Sequence, residues 1–225
     1  MNISHTHSIT DQAEIAAIHA FWLGLPARDH AQLITKFKRW YQGGADVDRV
    51  IQQRFANSVE RALAGELAAW EAEPRGRLAL ILLLDQFTRN LFRDTPRAYA
   101  GDVKACALAL QAIAEPSYST LPLEERLFCI MPLVHSETLA LHDRATELAG
   151  DFVLAAAPEL RLPWHFGAER TAHYRTIIQR FGRFPHRNEI LGRTSTQEEL
   201  DFLAQEATKA PPLSAATASA VSGGV

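Results

Sequence analysis

The chain has 225 residues, of which 47% are hydrophobic and 22% charged, with 23 basic and 26 acidic side chains. A chain of this length removes roughly 70% of its unfolded surface from water, so it forms a core without disulfides or a structural metal. The formal net charge of −3 gives no general attraction to phosphate backbones or anionic lipids. Composition and charge therefore argue against a nucleic-acid or membrane partner.

Cysteine usage and the lack of targeting signals favour a cytoplasmic protein. Cys106 and Cys129 each lie in an apolar run rather than in a paired motif, a pattern typical of reduced core thiols. No segment approaches the roughly 18 consecutive apolar residues of a membrane span. The N-terminus lacks the basic and apolar regions of a signal peptide. We predict a soluble cytoplasmic protein whose two thiols react slowly.

Helix signals recur along the chain, whereas strand signals are nearly absent. Asp11 and Asp29, each followed three residues later by Glu or Gln, resemble capping boxes and predict helices that start near positions 12 and 30. The glycine pair at 43–44 ends the second of these helices. Asp46 is then predicted to cap a long amphipathic helix.

The most apolar stretch is 78–84, seven residues without a polar side-chain atom. It is predicted to be a buried helix, because it is hydrophobic on all sides. The run 103–113 is similar and contains small residues suited to close helix packing. Further helices fit the stretches 122–130, 137–148 and 169–181, and a last one follows the capping box of Thr196 and Glu199.

About ten helices in pairs predict an all-α fold, in which antiparallel hairpins stack into a superhelix with degenerate repeats. We expect a single helical domain over 11–207. Residues 1–10 and 208–225 are predicted to be flexible tails, since small and polar residues cannot offset their ordering entropy by burial. The two histidines of the N-terminal tail are too few for a structural metal site.

Polar residues that interrupt apolar helices are informative, because their burial is costly unless something pairs with them. The first such segment continues from the apolar run to Asn90. Asp85 and Arg89 are four residues apart and therefore share one helix face, in the favourable order. Two interpretations stay open. The pair is either a structural ion pair, with Asn90 near the helix end, or a device by which Asp85 holds Arg89 toward an anionic ligand.

The second polar segment follows Pro132, which is predicted to end or kink its helix. Ser136 would cap the next helix, which places His135 at the junction and Glu137 in the first turn. His135 and Glu137 could act as acid and base, or as two metal ligands. No third ligand lies at a suitable spacing, so we predict no metal site. Phosphate-loop and dinucleotide fingerprints are absent, and no cofactor is predicted.

The third polar segment forms a compact corner near the C-terminus. Its candidate ligand-binding residues are Arg183, His186, Arg187 and Asn188. Three arginines between 183 and 193 repel one another, so they need acidic partners or an anionic guest. A structural network supplied by Asp85, Glu137 and Glu189 and an anion-binding site are both compatible with this pattern.

These segments resemble the uncharacterised bacterial proteins grouped as domain-of-unknown-function family 924. The matching motifs are Phe21-Trp22, Gly65 with Trp70, the stretch 80–87 with Arg89-Asn90, Met131-Pro132-Leu133 with His135-Ser136-Glu137, and the stretch 181–188 with Leu191-Gly192-Arg193. The resemblance spans about residues 12 to 206. It implies an all-helical, tetratricopeptide-like superhelical fold and implies no activity.

We therefore expect the three segments to converge on a pocket for a small anionic molecule, with catalysis left open. The arginines at 89, 183 and 187 would hold the anion, the asparagines at 90 and 188 would orient it, and His135 with Glu137 would transfer protons. The alternative is a non-enzymatic module that binds a peptide or a partner protein. A pocket of about 300 to 1,000 Å³ favours the small molecule, and an open groove lined with exposed aromatic residues favours the peptide.

Overall fold

Helices form most of residues 8–208, the part of the chain that the computed structural model describes. They are α1 Ile9–Trp22, α2 His30–Gln42, α3 Ala45–Leu63, α4 Pro74–Ile81, α5 Thr88–Leu91, α6 Asp102–Ala114, α7 Leu123–His135, α8 Leu139–Ala155, α9 Arg161–Phe181 and α10 Gln197–Thr208. No strand occurs within that range, which confirms the all-α prediction. The tetratricopeptide-like stacking stays a prediction, and the expected tails lie largely outside the described residues.

None of the helices in residues 8–208 is long and apolar enough to cross a membrane.

Several helix starts differ from their predicted positions, among them those of α1 and α3. The first helix begins at Ile9, because the Ser8 hydroxyl accepts a hydrogen bond from the Asp11 backbone N–H and the Asp11 carboxylate accepts one from the backbone of Ser8. The capping box therefore starts three residues earlier than expected. In α3, Asp46 lies within the first turn instead of at the cap. Its charge still stabilises the positive end of the helix dipole there.

The apolar run 78–84 lies in the core of the molecule, and each of its side chains is buried. It belongs to one continuous helical rod over 74–91, in which α4 and α5 are joined by a π-helical stretch, Leu82–Phe87. A π-helical turn is wider than an α-helical one and is frequent at functional sites. Asp85 lies in this wide turn, so a carboxylate is placed in the middle of the core.

Helix α6 begins in direct contact with the rod. A Cβ atom on Gly101 would lie 2.3 Å from the carbonyl oxygen of Leu84, so only glycine permits this approach. The next residue, Asp102, opens α6. The close approach brings its carboxylate near the turn that holds Asp85.

Helix α7 runs through Pro132 and ends at His135, so of the two predicted outcomes, a helix end or a kink, the helix end at the proline does not occur. The side chains of 127–134 are all buried, and this packing offsets the hydrogen bond that proline cannot donate. Ser136 does not cap α8, which starts after Thr138. Glu137 therefore lies in the linker between α7 and α8, not in a first helical turn.

The C-terminal part follows its predicted caps more closely. Helix α9 packs along α8 and ends at Gly182, whose φ of 68° is the left-handed conformation that glycine adopts without strain. Helix α10 starts with the predicted capping box. The Thr196 hydroxyl accepts from the Glu199 N–H at 3.2 Å, and the Glu199 carboxylate accepts from the Thr196 N–H at 2.8 Å.

The two cysteines are free thiols on neighbouring helices. Cys129 is buried in α7, and burial raises the pKa of its thiol to about 12. Cys106 is half-buried in α6, and burial raises the pKa of its thiol as well. Slow reaction of both thiols stays a prediction, and these environments are consistent with it.

Candidate functional site

The carboxylate of Asp85 is the centre of the polar cluster and has no exposed surface. Its Oδ1 lies 2.8 Å from Nδ1 of His135 and 3.0 Å from Nη1 of Arg89, and Oδ2 accepts from the Gln86 amide at 2.6 Å. Burial acts to raise the pKa of Asp85, but the charge of Arg89 and the contacts with His135 outweigh it and lower the pKa to about 2. Asp85 is therefore an ionised anchor for its neighbours.

His135 ends α7 with its ring against this carboxylate. The ionised carboxylate of Asp85 can only accept a hydrogen bond from the Nδ1 atom of His135. The ring proton therefore lies on Nδ1, and Nε2 carries a lone pair. Burial lowers the pKa of His135 to about 4, with Arg89 and Arg187 acting in the same direction and Asp85 opposing them. Nε2 has no hydrogen-bond partner in residues 8–208 and is not sealed from solvent, since the side chain is 18% exposed. His135 thus presents a neutral hydrogen-bond acceptor.

Asp102 links the guanidinium groups of Arg89 and Arg187. Nη2 of Arg89 donates to Asp102 at 3.0 Å, and Nη1 of Arg187 lies 3.6 Å from the same carboxylate. Burial, together with the nearby charge of Asp85, raises the pKa of Asp102 to about 6 although both arginines oppose this. Within the described chain, Arg89 is thus paired with two carboxylates, whereas Arg187 has one distant ion-pair partner.

Arg187 is held in place by aromatic rings and by a backbone carbonyl. Its guanidinium carbon lies 4.7 Å from the ring centre of Tyr99 and 4.5 Å from that of Phe184. Nη2 donates to the carbonyl oxygen of His135 at 2.9 Å, and Nε is buried without a hydrogen-bond partner among residues 8–208. The side chain is only 8% exposed, so its charge is fixed in position.

Two cavities adjoin this cluster. The Arg170 cavity, of about 190 Å³, lies between α2, the rod, α7 and α9, and includes Tyr41, Gln86 and Arg170 in its lining. The Arg187 cavity, of about 410 Å³, includes Tyr99 and Arg187. Residues that line both cavities are Arg89, Arg93, Val134, His135 and Tyr174. Since the same side chains border both, we treat the two cavities as one cleft.

Arg170 differs from the other arginines of the cleft. Its Nη2 donates to the Tyr174 hydroxyl at 2.6 Å, and its guanidinium lies 5.6 Å from the ring centre of Tyr41. No carboxylate of residues 8–208 forms an ion pair with it, and its Nε is buried without a hydrogen-bond partner. Arg93, in contrast, is bound by both carboxylate oxygens of Asp48, at 2.8 Å and 2.9 Å. Arg170 is thus the cleft cation whose charge no carboxylate of residues 8–208 neutralises by contact.

Most of the predicted site residues meet at the cleft. Those brought together are Asp85, Arg89, Asn90, His135, His186 and Arg187. Asn90 lines the Arg170 cavity, donates to the carbonyl of Gln86 at 2.8 Å and accepts from Arg93 at 3.1 Å. His186 lines the Arg187 cavity.

Glu137 does not join His135 as expected. Its carboxylate accepts from Arg193 at 2.7 Å and 3.0 Å and from the backbone N–H of Phe184 at 2.8 Å. The reason is the course of the chain, because the linker position of Glu137 turns it toward the corner at 182–193. These contacts hold Glu137 in that corner, and its predicted role in proton transfer stays a prediction.

Arg183 and Asn188 also lie outside the lining of the cleft. Arg183 forms a two-point ion pair with Glu199, at 2.6 Å and 2.8 Å, and the Asn188 amide donates to Ser195 at 3.0 Å. These contacts fasten α10 to the corner. The ligand roles of both residues stay predictions, and Arg183 is paired with Glu199, an acid that was not among the predicted partners Asp85, Glu137 and Glu189.

Sequence patterns did not predict three residues of the cleft region, namely Arg93, Asp102 and Arg170. Asp102 could have been recognised as the first residue of a helix, since it is an acidic residue that follows a glycine and precedes an apolar run. Arg170 lies one turn before Tyr174 on α9, a spacing that puts the two side chains in contact. Within residues 8–208 no group of three or more His, Cys, Asp or Glu side chains is arranged to hold a metal ion.

Comparison with known proteins matches this chain to proteins described as of unknown function. The profile of the family described as "Bacterial protein of unknown function (DUF924)" matches residues 18–207. A solved structure of a protein of unknown function from Agrobacterium tumefaciens is 33% identical, with a TM-score of 0.69 over 86% of this chain and 98% of that chain. A search of curated proteins finds no match. Because the profile spans most of the sequence, the chain belongs to the bacterial family DUF924.

Proposed function

We propose that this protein binds a small anionic molecule in the cleft and that His135 accepts a proton or a hydrogen bond from it. The observation that carries the proposal is the position of Arg170. This cation, which no carboxylate of residues 8–208 neutralises by contact, lines the same cavity as His135.

A half-buried guanidinium with no ion-pair partner in residues 8–208 is costly, since it has lost part of its hydration and contacts a phenol hydroxyl and two tyrosine rings instead of a carboxylate. Arg89 and Arg93 line the same cavity and add to the local positive charge, although each has its own carboxylate. An anion in this cavity would relieve the imbalance. It would also receive charge-assisted hydrogen bonds, each contributing on the order of 1.5 to 3 kcal/mol.

His135 supplies the second chemical function of the proposed site. The contact with Asp85 fixes the tautomer with Nε2 unprotonated, as a general base requires. In the unliganded protein the pKa of His135 is lowered to about 4 by burial and by the two nearby arginines. A bound anion would oppose the arginines and raise that pKa, so the base would strengthen once the ligand is present.

The cavity dimensions support a small molecule over a peptide. The Arg187 cavity, at about 410 Å³, falls within the range of about 300 to 1,000 Å³ that small-molecule sites occupy, and the Arg170 cavity, at about 190 Å³, is smaller than that range. The aromatic rings beside it, Tyr99 and Phe184, lie against Arg187 and do not form an open apolar groove. We therefore do not favour the peptide-binding alternative.

The test is a comparison of Arg170→Gln with the wild type in chloride-free buffer. Thermal shift and calorimetry would be run with monocarboxylates, dicarboxylates and inorganic phosphate at matched ionic strength. We expect at least one class to stabilise the wild type and to bind the variant at least tenfold more weakly. Arg175→Gln is the matched control, because Arg175 lies on the same helix but pairs with Asp143 at the surface. Equal anion binding by wild type and Arg170→Gln, or no binding by either, would refute the proposal.

A further inference from the structure

The two halves of the cleft each have a cation of their own. We infer that the ligand is a small dianion whose two acidic groups bind on either side of His135, one at Arg170 and the other at Arg187. This inference rests on the proposed function, because it assumes that the cleft binds an anion. It goes further by defining the ligand as a molecule with two acidic groups on a short linker.

The Arg170 end offers hydrogen-bond donors, and no carboxylate of residues 8–208 lines its cavity. Besides Arg170 itself, the phenol of Tyr41 lines this cavity, makes no hydrogen bond within residues 8–208, and is not sealed from solvent. Burial raises the pKa of Tyr41 to about 12, so the hydroxyl keeps its proton and can donate. A carboxylate or phosphate group suits these donors, whereas a cationic group would be repelled.

The Arg187 end is more rigid. The rings of Tyr99 and Phe184 flank the guanidinium, and the carbonyl of His135 accepts from Nη2. Nη1 lies 3.6 Å from Asp102, which is longer than a hydrogen bond. Nη1 of Arg187 can therefore donate to a ligand without breaking a hydrogen bond. His186 lines the same cavity and makes no hydrogen bond with residues 8–208.

His135 lies where the two ends meet. It borders both cavities, so a molecule that reaches from one cation to the other passes its ring. The part of the ligand beside Nε2 is then the linker between the two acidic groups. A hydroxyl or an acidic C–H on that linker would lie against Nε2 of His135. The base could then remove a proton from the bound dianion.

Two linked anions are favoured over two separate ones for a general reason. A monoanion at one end leaves the other cation without a ligand, and at the Arg187 end burial, together with the charge of Arg89, lowers the pKa of Arg187. Once one acidic group of a dianion is bound, the second binds as an intramolecular event with a high effective concentration. Affinity should therefore rise sharply when the linker length matches the distance between the two ends.

The experiment is calorimetry with malonate, succinate, glutarate and adipate against acetate and propionate, at matched ionic strength. A parallel titration with phosphoglycolate distinguishes a phosphate-bearing dianion from a dicarboxylate. We expect one dianion to bind with 1:1 stoichiometry and at least 30-fold more tightly than any monocarboxylate. Arg170→Gln and Arg187→Gln should each reduce its affinity at least tenfold, toward that of a monocarboxylate.

His186→Ala keeps the test informative if Arg187→Gln does not fold, because His186 is exposed and makes no hydrogen bond within the described chain. The substitution His186→Ala should weaken the binding of the dianion more than the binding of acetate. Arg180→Gln is the control, since Arg180 pairs with Glu198 at the surface. This variant should bind the dianion as tightly as the wild type does. If dianions bind no more tightly than monocarboxylates, or if two monoanions bind per chain with equal total affinity, the dianion inference fails while the proposed function stands. If no anion binds, both fail.

Discussion

Asp85 and His135 are 50 positions apart in sequence, yet both carboxylate oxygens of Asp85 lie within 3.0 Å of Nδ1 of His135. The wide turn of the central rod supplies the carboxylate, and the end of α7 supplies the ring. The same carboxylate binds Arg89. One fully buried group therefore fixes both the tautomer of the proposed base and the position of a cleft arginine.

Replacing Asp85 with asparagine should lower the free energy of unfolding by about 3 kcal/mol, because it removes a charge that compensates the largely buried Arg89 while leaving the arginine in place. Urea denaturation at pH 7 measures the loss. Asp48→Asn is the control, since Asp48 pairs with the half-exposed Arg93, and its loss should be about 1 kcal/mol or less. Similar losses in the two variants would show that Asp85 does not anchor the buried cluster.

The acid stability of the protein should depend on His135. Its pKa is about 4 in the folded chain against 6.5 for an ordinary histidine, so the unfolded chain binds the proton first as the pH falls. The stability that depends on the neutral ring is therefore complete above about pH 6.5 and is lost as the pH falls toward 4. Between pH 6.5 and 4.5 the free energy of unfolding of the wild type should fall by about 2 kcal/mol more than that of His135→Gln.

Chemical denaturation of both proteins at several pH values tests this difference. Asp102, with a pKa raised to about 6, acts with the opposite sign over part of the same range. Both proteins contain it, so the comparison largely cancels its contribution. Parallel curves for wild type and His135→Gln would contradict the prediction.

Local rules predicted the parts of the site that lie on one helix. The spacing of Asp85 and Arg89 predicted their contact, and the apolar run 78–84 predicted a buried helix, because both depend on helical periodicity alone. The capping box of Thr196 and Glu199 was predicted in the same way. These features need no knowledge of how the helices pack.

Features that depend on tertiary packing were not predictable from such rules. Glu199 is recognisable as a capping residue, but its second role, neutralising Arg183 across 16 positions, depends on how α10 folds back. The proline in α7 signals a helix end by its chemistry, and only the burial of its neighbours overrides that signal. Arg170 is an ordinary surface-helix residue in sequence, and it acquires its importance because the fold places no carboxylate of residues 8–208 against it.

Glu137→Gln should separate structure from function at the third segment. The substitution weakens the contacts with Arg193 and with the Phe184 backbone, so we expect a loss of about 1 to 2 kcal/mol in the free energy of unfolding. Anion affinity in the cleft should stay within about twofold of the wild type. Glu198→Gln, which removes only a surface pair, is the control. A Glu137→Gln protein of normal stability that no longer binds anions would instead support the predicted role of Glu137 in proton transfer.

The approach of α6 to the central rod predicts a large difference between two glycine substitutions. A Cβ on Gly101 would lie 2.3 Å from the Leu84 carbonyl oxygen, a backbone atom that cannot move without disturbing the π-helical stretch. Gly101→Ala should therefore cost about 3 kcal/mol by overpacking and move Asp102 away from Arg89. Gly150 lies inside α8, where an added Cβ would meet no other atom within 4 Å, so Gly150→Ala should instead stabilise the protein by up to about 1 kcal/mol. Thermal and urea unfolding of both variants provide the measurement, and anion titration of Gly101→Ala shows whether the displaced Asp102 alters the cleft. Equal stability of the two alanine variants would mean that α6 does not need the close contact that brings Asp102 to Arg89.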